Sequence, residues 1–110
     1  MAARATAALA GEKHLLLADL VLAECIYVLE SFYEVGRVQV AMLMRAALAL
    51  PSVAVIDTPM LLRALEVYEV ERLDFAEAYL VASAEATGVT RIMSFDRAID
   101  RVESILRVEP

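Results

Sequence analysis

Short apolar runs alternate along the chain with longer segments in which apolar residues recur at helical spacing. The short runs are three or four residues long and rich in Val, Ile and Leu, which is typical of buried strands. Strands are therefore predicted at residues 15–18, 53–56, 91–94 and 106–108. Helices are predicted at residues 4–10, 20–33, 38–50, 58–70 and 74–87. This alternation indicates an α/β fold with a parallel sheet, and one domain covers residues 1–110.

Several predicted helices begin or end at residues that favour those positions. Asp19 and Asp57 are predicted N-caps, and Pro59 lies in the first turn after Asp57. Gly88 is the predicted C-terminal stop of the helix that begins at Asp74.

The composition narrows the class of protein. The 110 residues are 61% apolar, which excludes a disordered chain, and the single Cys25 excludes a disulfide framework. No apolar stretch approaches the ~18 residues of a membrane helix, and no secretion signal is recognisable. We therefore expect a cytoplasmic protein that does not contact membranes. The net charge of −6 argues against passive coating of nucleic acid, but it suits an enzyme whose acids hold metal ions.

Glu24 is surrounded by apolar residues at helical spacing, including Leu20, Tyr27 and Val28. A carboxylate buried there without a partner would cost several kcal/mol. Either Glu24 is partly exposed or paired with an arginine, or it faces a cleft that holds a cation. The residues alone leave both alternatives open.

Further acids lie at the start of a helix and at the end of a strand. Asp74 and Glu77 form a D-x-x-E pattern, for which a capping box is the favoured interpretation. Alternatively, Glu77 points into the same cleft as Glu24. Asp96 follows the strand at 91–94, where it can cap a short helix through residue 99 or bind a metal, and Asp100 follows one turn later.

Taken together, these carboxylates suit Mg²⁺ or Mn²⁺, which prefer oxygen ligands. His14 is the single histidine, so a histidine-based triad is excluded. The three glycines are isolated, which excludes a glycine-rich phosphate loop.

The order and spacing of these acids resemble the PIN-domain family, in particular the VapC-type toxins of toxin–antitoxin pairs. Three segments carry the resemblance over nearly the whole chain: LLLADLVLAECIYVL at 15–29, LDFAEAYLVASA at 73–84 and IMSFD at 92–96. They align Glu24, Glu77 and Asp96 with the family's second, third and fourth acids.

The resemblance implies a three-layer sandwich with a small parallel sheet and a metal-dependent endoribonuclease, the toxin of a type II pair. Its implied catalytic residues are Glu24, Glu77 and Asp96. Its implied ligands for Mg²⁺ or Mn²⁺ are Glu24, Asp74, Glu77, Asp96 and Asp100. The implied partners are an RNA substrate, a cognate antitoxin protein and a second copy of the chain.

The sequence departs from the family in two places. The third acid is usually Asp, whereas Glu77 stands here, one turn after Asp74. The family's first strand, which is central in the sheet and carries an Asp, is missing from the sequence as given. We therefore expect weak metal binding and little RNA cleavage by residues 1–110. The alternative functions are a non-catalytic PIN-like module that dimerises or binds an antitoxin, and a metal-dependent phosphatase.

Two spatial expectations follow. Glu24, Glu77 and Asp96 should converge on one cleft, because acids in apolar surroundings need a shared cation or water. The helices at 20–33 and 38–50 are apolar around most of their circumference, so we expect a homodimer that buries them. An antitoxin site on the same face is the alternative.

Overall fold

A computed structural model describes residues 14–110, which form short parallel strands and four α-helices. In chain order the elements are β1 (Leu15–Leu16), α1 (Asp19–Ser31), α2 (Arg37–Leu48), β2 (Val53–Ala54), α3 (Thr58–Glu66), a π-helical segment (Val67–Glu71), α4 (Phe75–Thr87), β3 (Arg91–Met93), a 3₁₀ turn (Arg97–Arg101) and β4 (Leu106–Val108). The predicted α/β class is confirmed. The helix predicted at 4–10 lies outside the described residues.

The strands form two separate parallel pairs within residues 14–110, β1 with β2 and β3 with β4. The amides of Leu15 and Leu17 donate to the carbonyls of Ser52, just before β2, and of Ala54, so the amide of Leu16 between them points to the opposite edge. On β3, the amide of Ser94 donates to Val108, and that of Met93 points away from β4. Each pair is only two strands wide, so no described strand covers the outer edges of β1 and β3, nor those of β2 and β4.

The helix ends confirm some of the predicted caps and contradict others. The Asp57 carboxylate accepts a hydrogen bond from the Met60 amide at 3.1 Å, and Gly88 ends α4 with a left-handed φ of 76°. Asp19 caps nothing: Ala18 is the N-cap of α1, and Asp19 bonds to a side chain of α4 instead. The predicted helix at 58–70 divides into α3 and the π-helical segment.

The core lies where α3 and α4 pack against each other. Their facing sides carry fully buried residues, and the small side chains of Ala64 and Ala78 let the helix backbones approach closely. Arg63 of α3 also forms a two-pronged ion pair with Glu85 of α4, with N–O distances of 2.7 and 3.0 Å. This packing fixes α4, which carries Glu77 in its first turn. None of the helices in residues 14–110 is long and apolar enough to cross a membrane.

Candidate metal centre

Glu77 occupies the first turn of α4 and is half-buried. Its Oε2 atom is buried and has no hydrogen-bond partner within the described part of the chain. A buried carboxylate oxygen without a donor is costly, because it has lost water and gained nothing in return. A proton or a cation bound at Glu77 Oε2 would therefore be favourable.

Two further acids act electrostatically on Glu77. Burial raises the pKa of the Glu77 carboxyl, and the negative charges of Asp96 and Asp74 raise it further. We call Asp74, Glu77 and Asp96 the acid cluster. All three are among the five metal ligands that the family resemblance implies, and Asp96 and Asp74 both lie close enough to Glu77 to act on its charge.

Asp96 is held in place by its own backbone turn. Its amide donates to Ser94 Oγ at 3.0 Å, and its Oδ1 accepts from the Ala98 amide at 2.9 Å. Asp96 thus caps the 3₁₀ turn, as one of the two sequence interpretations predicted. Within residues 14–110 its Oδ2 atom makes no hydrogen bond, so the second interpretation, a ligand for a cation, is still open.

Asp74 does not form the favoured capping box. It is the N-cap residue of α4, but its side chain accepts no hydrogen bond from that helix and is exposed. The capping prediction for Asp74 is therefore wrong. Its carboxylate is available to the acid cluster instead.

A family model of the PIN domain matches residues 1–105. The chain belongs to the PIN-domain family. Neither curated proteins nor solved structures gave a match to it. PIN domains are generally nucleases that use divalent metals, so the family agrees with the carboxylate chemistry of the acid cluster.

The other two predicted ligands of this PIN domain lie in different surroundings. Glu24 is exposed on α1 and lines a depression with Val28 and Met44, between α1 and α2. Asp100 forms an ion pair with Arg107, with N–O distances of 3.0 and 3.3 Å. Glu24 is not among the charges that raise the pKa of Glu77. The predicted convergence of Glu24 with Glu77 and Asp96 stays a prediction.

Asp19 is a feature of this PIN domain that the sequence did not reveal. Its Oδ2 accepts from the Tyr79 hydroxyl at 2.5 Å, and its Oδ1 is buried without a partner among the described residues. Asp19 therefore ties the start of α1 to α4, two residues beyond Glu77. Asp19 and Tyr79 lie 60 positions apart in the sequence, so no local pattern could have predicted this contact.

The donors of the acid cluster suit a hard divalent cation. Within residues 14–110, no three His, Cys, Asp or Glu side chains are arranged so that they could hold one ion together. Mg²⁺ commonly needs only one or two protein carboxylates, because it keeps several of its waters. The unpartnered Oε2 of Glu77 and the free oxygen of Asp96 fit such a site.

Replacing Glu77 by Gln is expected to stabilise the metal-free PIN domain at pH 8. The raised pKa means that the folded chain binds this proton more tightly than the unfolded chain does. The stability contributed by that proton is present in acid and is lost as pH rises through the folded-state pKa. The glutamine side chain does not ionise, so the variant avoids this loss. We expect its free energy of unfolding to exceed that of the wild type by about 1 kcal/mol at pH 8, with a smaller difference near pH 4. Thermal unfolding at both pH values measures it.

The exposed Glu103 provides a matched control for this substitution. The Glu103→Gln change removes the same charge but relieves no burial, so its effect should be small at both pH values. If Glu77→Gln and Glu103→Gln changed the stability equally, the unfavourable burial of the Glu77 carboxylate would be contradicted.

Proposed function

We propose that this PIN domain is a Mg²⁺- or Mn²⁺-dependent endoribonuclease, the toxin of a type II toxin–antitoxin pair. The observation that carries the proposal is the half-buried Glu77 carboxylate, with one oxygen unpartnered and two acids beside it. A bound cation would neutralise the charges of these neighbouring carboxylates, which explains why a folded domain would bring them together.

In the proposed centre Glu77 and Asp96 would hold the metal ion, and Asp74 would be an additional acid beside them. A divalent ion bound there neutralises phosphate charge and makes water more acidic. Glu77 supplies an oxygen that has no competing hydrogen bond. Asp96 is kept in orientation by the Ala98 amide, which occupies one oxygen and leaves the other for the ion. The resemblance adds Glu24 as a further catalytic acid and Asp100 as a further ligand.

Arg97 is the proposed contact for the RNA backbone. It follows Asp96 directly, is exposed, and forms no ion pair or side-chain hydrogen bond within residues 14–110. By contrast, Arg45 pairs with Glu69 and Arg107 with Asp100. A free guanidinium beside the acid cluster can hold a phosphate in a domain whose net charge is −6.

A homodimer is the proposed assembly, formed through an apolar surface of α1, α2 and their connection. We call this surface the α1–α2 patch, and its exposed members are Tyr27, Phe32, Tyr33, Val38, Met42 and Leu43. Phe32 and Val38 are 72% and 65% exposed, which is high for apolar side chains that stand together. A cognate antitoxin is proposed as a second partner of the domain.

We further propose that a strand between β1 and β3 completes the sheet, as the family resemblance implies. The support is the pair of uncovered edges at Leu16 and Met93, whose side chains are 68% and 70% exposed. Unpaired strand edges recruit another strand.

Cleavage of a fluorescently labelled single-stranded RNA tests the proposed function. We expect slow cleavage that requires Mn²⁺ or Mg²⁺ in the millimolar range and stops with a chelator, since weak binding needs a high metal concentration. A chain that binds the ion but leaves RNA intact would favour the non-catalytic module. Hydrolysis of a small phosphomonoester instead of RNA would favour the phosphatase.

A further inference from the structure

Arg37, the first residue of α2, makes contacts that are unusual for an arginine. Its Nη1 donates to two main-chain carbonyls, that of Tyr68 at 2.7 Å and that of Leu73 at 2.5 Å. Its guanidinium carbon lies 4.4 Å from the centroid of the Tyr68 ring. Within residues 14–110 it forms no ion pair. Its charge is therefore directed at backbone oxygens and an aromatic face.

The position of Arg37 does not suit α2 itself. The first turn of a helix favours negative side chains, and a positive one there is unfavourable by about 0.3–1 kcal/mol. The first turn of α2 contains no acid that would offset this. The presence of an arginine at this position is therefore better explained by its contacts outside α2 than by any contribution to helix formation.

One carbonyl lies in the π-helical segment and the other in the short connection from that segment into α4. Tyr68 belongs to the π-helical segment, and Leu73 immediately precedes Asp74. Between them Arg72 has a left-handed backbone with φ of 60°, so the chain changes direction sharply. Leu73 is buried, and leaving its carbonyl without a donor would cost about 1–3 kcal/mol. Arg37 thus fixes the point from which α4 begins.

Tyr68 gives this anchor a rigid base. The tyrosine is fully buried, and its hydroxyl donates to Glu30 Oε2 at 2.5 Å. Its ring also meets Phe75, the first residue of α4, edge to face at 6.3 Å between centroids. The turn into α4 is therefore restrained both by the hydrogen bond from Arg37 to Leu73 and by the ring contact between Tyr68 and Phe75.

We propose that Arg37 is a positioning residue for the acid cluster. By holding the Leu73 carbonyl it sets where Asp74 and Glu77 stand relative to Asp96. The inference rests on the proposed function, because the residues it positions are the proposed metal ligands. Ligands must be held within about 0.5 Å of their productive places, so a loosened helix start weakens metal binding.

Arg37→Met tests this against Arg45→Met. Arg45 also extends from α2 to the π-helical segment, where it pairs with Glu69 at 2.6 Å, but it does not contact Leu73. Both variants remove one positive charge and break contact between α2 and the π-helical segment, but only Arg37→Met also removes the hydrogen bond to the Leu73 carbonyl. We expect Arg37→Met to weaken Mn²⁺ binding about tenfold, measured by paramagnetic resonance of the free ion, and Arg45→Met to change it little. Arg37→Lys should recover part of the loss, because it keeps the charge and several donors.

Hydrogen exchange at the Ala78 amide provides a second readout that needs no metal. This amide donates to the Asp74 carbonyl at 2.9 Å, in the first turn of α4. We expect its exchange to be about tenfold faster in Arg37→Met than in Arg45→Met. Equal exchange and equal Mn²⁺ affinity in the two variants would overturn the proposal.

Two further outcomes are also decisive. If the wild type bound no Mn²⁺, the proposed function would fail, whereas exchange at Ala78 would still decide whether Arg37 fixes the helix start. If Arg37→Met did not fold, Arg37→Lys would replace it in both measurements, with smaller effects in the same direction expected. An Arg37→Lys variant indistinguishable from Arg45→Met would then count against the proposal.

Discussion

Asp96→Asn is expected to lower metal-dependent RNA cleavage at least about hundredfold. The asparagine side chain keeps an oxygen that can accept from the Ala98 amide, so the cap of the 3₁₀ turn survives. The substitution removes the negative charge and the free carboxylate oxygen. Mutating a residue that only supports a metal ligand typically lowers activity about 10–100-fold, and losing the ligand itself should lower it further. Glu77→Gln should lower RNA cleavage to a similar extent, although this variant protein should be more stable than the wild type at pH 8. Initial rates at millimolar Mn²⁺ measure both.

Asp57→Asn is the matched control for this experiment. Asp57 also caps a helix, accepting from the Met60 amide at 3.1 Å, but it lies outside the acid cluster. The same change of carboxylate to amide should therefore leave cleavage within about twofold of the wild type. Equal losses in Asp57→Asn and Asp96→Asn would show that caps, rather than ligands, determine the activity.

The chain is expected to have the mass of two 12.1 kDa subunits at tens of micromolar. The α1–α2 patch exposes six large apolar or aromatic side chains, and self-association across a two-fold axis would bury them on both subunits. Placing a charge inside it, as in Phe32→Glu with Met42→Glu, should leave a folded monomer, because an unpaired buried charge opposes association. Light scattering after gel filtration measures the mass.

Val89→Glu is the control for the dimer prediction. Val89 is 59% exposed, close to the 53% of Met42, but it follows α4 and is not part of the α1–α2 patch. This variant should remain dimeric. A wild-type monomer under the same conditions would contradict the proposed assembly and leave the patch to the antitoxin. Dissociation by Val89→Glu would place the interface elsewhere.

Local sequence signals predicted those parts of the fold in which a residue acts on its own neighbours. Asp57 and Gly88 cap the helices that their positions indicated, because caps depend on backbone groups three or four residues away. The strands also pair in parallel, as the alternation of elements predicted. Each strand except β4 is shorter than its apolar run, because residues beyond the paired ones find no neighbouring strand.

Long-range partners account for what the sequence did not predict. Asp19 is the first residue of α1 and Asp74 is the N-cap residue of α4, yet neither side chain caps its helix. Asp19 bonds to Tyr79, which lies 60 residues away, and no local pattern announces that contact. Arg37 likewise reaches across to Leu73, 36 residues on. The acids of the acid cluster were candidate ligands in the sequence because Asp96 follows a strand and Asp74 and Glu77 begin a helix, which are local features.

The most direct test of the account is where Mn²⁺ binds on the isotopically labelled chain. The ion broadens the NMR signals of nearby amides, so even a weak site can be located. We predict the strongest broadening at residues 74–78 and 94–98, around Glu77 and Asp96, and its loss in Asp96→Asn. Broadening centred on other acids, such as Glu66 or Glu103, or none at millimolar Mn²⁺, would contradict a metal centre at the acid cluster.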